Sequence, residues 1–188
     1  MGKKYKLLKG TRIVNNLPLH RIIALKNFGN VIKGDVGGWV EKESNLSQEG
    51  NCWIYNNAAV YGDAEVSGNA KIFNYAEVFE NAQISGNAKV YDNAKVYGKA
   101  RVSDKANVFN DVWVFDNAEI SGYAIVRDRV RIYGNARVYD NAILCNNVIV
   151  CDNAVVCDHA EIYDNTIICD DTEVYDDCVN RKVNIILI

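Results

Sequence analysis

Residues 51–176 repeat one six-residue phrase without interruption, 21 hexads in 126 residues. Internal repetition at a short fixed period marks a repeat architecture and constrains the fold more than any other signal in the chain. The phrase is polar, small, variable, Val or Ile, variable, then Gly, Asp or Asn; Asn87-Ala88-Lys89-Val90-Tyr91-Asp92 is a regular copy. Inside each hexad the period is two, so Ala88 and Val90 point one way while Lys89 and Tyr91 point the other, as in a strand. Junction pairs such as Gly68-Asn69, Gly86-Asn87 and Asp92-Asn93 carry residues that tolerate tight corners. Each hexad therefore reads as a short strand plus a corner.

A second period of 18 lies beneath the first. Ser67, Ser85, Ser103 and Ser121 recur at that interval in the fifth position, and aromatic residues fill the fifth positions between them. Three strands per turn make a triangular coil, so 21 hexads predict about seven coils. At about 4.8 Å per coil the prism stands roughly 34 Å tall. Small residues at position two and β-branched residues at position four suit a narrow interior.

The run Val60-Tyr61-Gly62-Asp63-Ala64-Glu65 and its copies resemble the hexapeptide repeat of left-handed parallel β-helix proteins. The resemblance covers about two-thirds of the chain and implies an all-β, single-stranded, left-handed triangular prism. The entry segment Asp35-Val36-Gly37-Gly38-Trp39-Val40, with Asn45-Leu46-Ser47-Gln48-Glu49-Gly50, resembles that of uncharacterised β-helix proteins carried by phages and prophages.

Three segments are expected: a β-rich cap over 1–50, the repeat over 51–176 and a C-terminal cap or tail over 177–188. In the cap, Lys6-Leu7-Leu8, Arg12-Ile13-Val14 and Leu19–Leu25 read as short strands separated at Gly10-Thr11 and Asn15-Asn16. The apolar tail Val183–Ile188 is expected to cover the last coil. No apolar run reaches membrane-spanning length and the basic start lacks an apolar signal core, which predicts a soluble, cytoplasmic protein with no membrane partner. The net charge of −3 argues against general nucleic-acid binding.

Charge is unevenly spread. The cap holds nine Lys/Arg against four acidic residues, whereas no Lys or Arg lies between Val138 and Asn180. Asp140, Asp158 and Asp176 fall 18 apart at corners and should stack. Such carboxylates repel, and either exposure to water or a cation such as calcium relieves them. This stack is the weak metal candidate; no cofactor is expected. Cys52 and Cys178 take the inward small position, while Cys145, Cys151, Cys157 and Cys169 take the outward fifth position on three faces. Only Cys151 and Cys169 share a face on adjacent coils. A four-ligand zinc site does not follow from that spread, and free thiols are expected.

The resemblance implies relatives that are acyltransferases, typically trimers with a histidine general base at the seam between subunits, and some carbonic anhydrases with three metal-binding histidines. Only His20, in the cap, and His159, at a corner, are present. The repeat carries no insertion, and Tyr, Phe or Ser stands where those enzymes often keep a small residue. No catalytic constellation is recognisable. The reading is a non-enzymatic protein–protein interaction protein. Its finer form, on resemblance alone, is a phage-encoded inhibitor of a host defence system of the anti-CRISPR kind, acting on a host protein or complex in the host cytoplasm. An acyl-CoA-dependent acyltransferase is the alternative, and a passive structural or polymer-forming module the second.

Two surfaces are candidates for contact. Outward Tyr55, Phe73, Tyr91 and Phe109 should form one aromatic column, and Tyr61, Phe79, Tyr97, Phe115 and Tyr133 another. Ladder stacking alone would also account for them. The third outward position, charged or polar in the early coils, becomes Ile125, Ile143, Ile149 and Ile167 later. This apolar strip should wrap the edge at Asn146-Asn147 and drive self-association as a dimer or trimer, unless the tail folds over it. Burial of such a side chain is worth roughly 1.5–3 kcal/mol.

Overall fold

The computed structural model describes residues 2–176 and the backbone of 186–187. From Trp53–Ile54 (β4) to Glu173–Tyr175 (β24), every hexad forms one strand of two or three residues. These strands fall into three parallel stacks of seven, each pairing with the strand 18 residues on, as Val90 does with Val108. We call the stacks the first face (Trp53–Ile54 onward), the second face (Ala59–Val60 onward) and the third face (Glu65–Val66 onward). The chain is an all-β parallel solenoid. Among the described residues there is no α-helix, only a 3-10 turn at Glu43–Asn45, and hence no helix long and apolar enough to cross a membrane.

The corners show why the sixth position is Gly, Asn or Asp. Those residues sit in the left-handed region, with φ of 52° at Asn56, 63° at Gly86 and 57° at Asp92. Without that turn the next strand could not fold through a corner in one step. Inside, Ala70, Ala88, Ala106 and Ala124 line one corner of the prism and Ile72, Val90, Val108 and Val126 line the adjoining wall, all fully buried. Between coils the backbone bonds run N–H of residue i to C=O of residue i+17, as from Lys89 to Ala106 at 2.9 Å, so the wall satisfies its own polar groups.

The cap differs from the sequence expectation in two ways. Gly10-Thr11 does not end a strand: Tyr5–Val14 (β1) is continuous and absorbs the glycine as a bulge between Leu7 and Thr11. Asn15 and Asn16, at φ 49° and 64°, make the hairpin turn into Leu17–Ala24 (β2). Beyond it, Val36–Val40 (β3) pairs antiparallel with β2 but parallel with Ala59–Val60. A bridge from Leu46 to Val66 extends the third face. Residues 36–50 thus begin the solenoid before the hexads do, as a partial eighth turn, and the hairpin prolongs the second face to an antiparallel edge.

Lys4 anchors this end. Its side chain is buried, and its ammonium donates to the Glu49 and Cys52 carbonyls at 3.1 and 3.2 Å and to the Cys52 sulfur at 3.3 Å. Trp53, an outward residue by register, is buried beneath Tyr5 and Phe28, whose rings meet it edge-on. At the far end Ile186–Leu187 (β25) pairs antiparallel with Thr166–Ile168 (β23) and adds one strand to the edge of the second face. Cys178 and the rest of 177–188 lie outside the described residues.

Candidate interaction surface

Both expected aromatic columns form. On the first face Phe73, Tyr91 and Phe109 stack at 4.7 Å with planes within 8°, and Tyr55 meets Phe73 edge-on. On the second face Tyr61, Phe79, Tyr97, Phe115 and Tyr133 stack at 4.8–5.2 Å. That spacing is the coil repeat itself, so register alone brings the rings to stacking distance. Most of these rings are half-buried by one another. Tyr61 is only 3 % exposed, because the cap hairpin lays Leu17 and Leu19 over it and Asn15 donates to its hydroxyl. It offers no free surface.

The strip places Ile125 beside Ile143 on the first face and Ile149 beside Ile167 on the second, as the register demands. All four are half-buried. The second-face column above Ile149 carries Arg131 and then Trp113. Trp113 is 39 % exposed, with the Arg131 guanidinium 5.3 Å from its ring. Asp111, Trp113, Arg129, Arg131, Asn147 and Ile149 line a groove of about 380 Å³ along the edge between these faces. Arg129 holds φ of 61°, a conformation costly for a long side chain. In this part of the edge Asp128-Arg129, Asn146-Asn147 and Asp164-Asn165 each place two successive residues in the left-handed region. Sequence reasoning passed over Trp113, Arg129 and Arg131. The available signal was a tryptophan at the third position, where Lys, Glu or Arg is usual.

The third face is polar, with Glu65, Gln83 and Arg101 exposed along it. Its neighbouring corner holds Asp140, Asp158 and Asp176, in the expected column at φ of 55°, 56° and 50°. Asn141 contacts His159 Nε2 at 3.3 Å, and His159 Nδ1 lies 3.6 Å from Asp176. His159 is therefore an exposed link in a corner ladder, and His20 contacts the Leu8 carbonyl at 3.1 Å in the cap. Among the described residues, the three-group cluster of metal-ligating atoms is Cys151, Asp152 and Cys169, all within 4.8 Å of one another.

Burial pushes the thiols of Cys52, Cys145 and Cys157 up, and that of Cys151 up to about 11. Burial likewise raises Tyr5, helped by the Glu43 charge, and Tyr61, helped by Glu77. For each, the unfolded chain releases its proton first as pH rises, so the native state binds more protons and stability falls with pH. Lys4, lowered by burial, opposes this as a single group. The sign gives stability that is full below the ordinary thiol value of 9.0 and declines above it. The urea midpoint is expected to drop between about pH 8 and about pH 10; an unchanged midpoint would refute the assignment.

A repeat family and a known protein each match part of the chain. The family model described as YdcK Beta solenoid repeat matches residues 82–98 and 130–146. The Escherichia coli (strain K12) protein named "Uncharacterized acetyltransferase YdcK" is 41% identical over 66 residues. That match spans 31% of this chain and 20% of the relative's length. Repeat, register and matches agree that the chain is a hexapeptide-repeat β-solenoid with a distant resemblance to hexapeptide acyltransferases.

Proposed function

We propose that this solenoid is a non-enzymatic protein-binding scaffold, with its contact surface on the edge between the first and second faces. The observation that carries it is Trp113, exposed on a rigid wall, bracketed by Arg131 and joined to Ile149 through the groove. Tryptophan and arginine are the residues most enriched at the energetic centres of interfaces. The strained Arg129 on the same groove supports the choice. Ile125 and Ile143 extend the surface round the edge, and a second copy of the chain is one partner that would cover them. The finer reading, an inhibitor of a host defence system, rests on the resemblance of the entry segment to phage-carried β-helices.

The Trp113→Ala/Arg131→Ala variant is expected to lose a protein captured by the wild type from a bacterial lysate, while Ser85→Ala/Ser103→Ala on the third face keeps it. Equal capture by both variants would remove this surface. Light scattering of Ile143→Lys/Ile149→Lys reads self-association; a folded monomer from an oligomeric parent assigns the strip to a second copy. The acyltransferase is the second reading, favoured by the name of the Escherichia coli relative. His159, with Asp176 beside it, is the base it would use. Saturable acetyl-CoA binding, lost in His159→Ala, would replace the scaffold reading.

A further inference from the structure

The second-face aromatic column ends at Tyr133, and the same fifth position then holds Cys151 and Cys169 on successive coils. The other outward thiols have no such neighbour: Cys145 stands between Arg127 and Tyr163, and Cys157 between Tyr139 and Tyr175. Asp152 follows Cys151 at the corner. Its carboxylate accepts a hydrogen bond from the Asp170 backbone N–H, 3.2 Å away on the next coil, which aims it along the stack towards Cys169. We propose that Cys151, Asp152 and Cys169 form a binding site for a thiophilic divalent cation of the zinc class, with a fourth coordination position open to solvent.

The geometry and the ligand chemistry agree. Two thiolates on one tetrahedral zinc, each at about 2.3 Å, stand about 3.8 Å apart. The three ligand atoms already lie within 4.8 Å of one another, so closure needs rotamer adjustment and no movement of the wall. Two sulfurs with one carboxylate select zinc-like ions over calcium or magnesium, which take oxygen. Cys151 is 6 % exposed and Asp152 is exposed, so the site opens on one side. The surroundings call for positive charge: ten acidic residues and no Lys or Arg lie between Val138 and Asn180. The site is separate from the Trp113 groove, and its occupancy does not depend on that reading.

Co(II) added to the reduced, metal-free full chain tests this. One Co(II) per chain is expected, with a thiolate-to-cobalt charge-transfer absorption that zinc abolishes. Cys151→Ser and Cys169→Ser should each weaken binding by more than the roughly 10–100-fold that loss of an outer-sphere partner costs. Cys145→Ser and Cys157→Ser should bind as the wild type does, and circular dichroism checks that each variant keeps the solenoid. Should the serine variants misfold, Asp152→Asn decides, since that side chain is exposed and asparagine suits the same corner; unchanged affinity there overturns the site. So does a reduced wild type that takes up no Co(II) and in air forms only a Cys151–Cys169 disulfide. An absorption band that survives Cys151→Ser/Cys169→Ser overturns it as well.

Discussion

Val108→Asp is expected to destroy the folded stack, while Asn107→Asp, one residue away, leaves stability within about 0.5 kcal/mol of wild type. Val108 is fully buried in the fourth strand of the first face, between Val90 and Val126 in register. The interior beside it is lined by alanine and aliphatic side chains, with no cation to pair a carboxylate. An unpaired buried charge costs several kcal/mol, against a typical total stability of about 5–15 kcal/mol. The position magnifies the loss. In a solenoid each coil contacts only its neighbours, so a broken middle coil separates the two halves. Loss of the β-sheet circular dichroism signal and a new protease cut near the fourth coil are the expected readouts. A Val108→Asp protein that melts like wild type would mean the inward register is wrong.

Gly38→Ala is expected to lift the cap. A Cβ there would lie 2.4 Å from Ile54 Cγ2 and 2.5 Å from the Ala58 carbonyl oxygen. That oxygen already accepts the Trp39 N–H at 2.9 Å, so it cannot retreat without breaking the pairing that seats β3 on the solenoid. The cost should exceed the usual overpacking range of about 1–3 kcal/mol, because backbone stands beside the Ile54 methyl in the way and cannot yield as a side chain can. Lifting the cap exposes the unpaired edge of the first coil, which other chains can pair with. The variant should melt lower and show concentration-dependent scattering. Gly10→Ala, whose added Cβ meets nothing within 4 Å, should do neither. Equal behaviour of the two variants would remove Gly38 as the seat of the cap. The second face ends in antiparallel strands at both ends, β1–β2 above and β25 below, which blocks the parallel end-to-end stacking a polymer-forming module would need along that face.

The sequence by itself determined the repeat. Alternation within the hexad fixed which residues point inward, Gly, Asn and Asp fixed the corners, and the period of 18 fixed which residues stack. Phe73 on Tyr91 and Ile125 beside Ile143 were legible because a contact between coils is set by register alone. Three features were decided only by the tertiary structure. The cap has no period, so its bulge at Gly10-Thr11, its partial turn over 36–50 and its cover over Tyr61 depended on how a hairpin meets the first coil. The lean of Asp152 towards Cys169 is a side-chain direction along the stack, and a period states only which face a residue occupies. Trp113 met Arg131 because their side chains turned together across the coil spacing, where register set the distance but only packing could choose the rotamers.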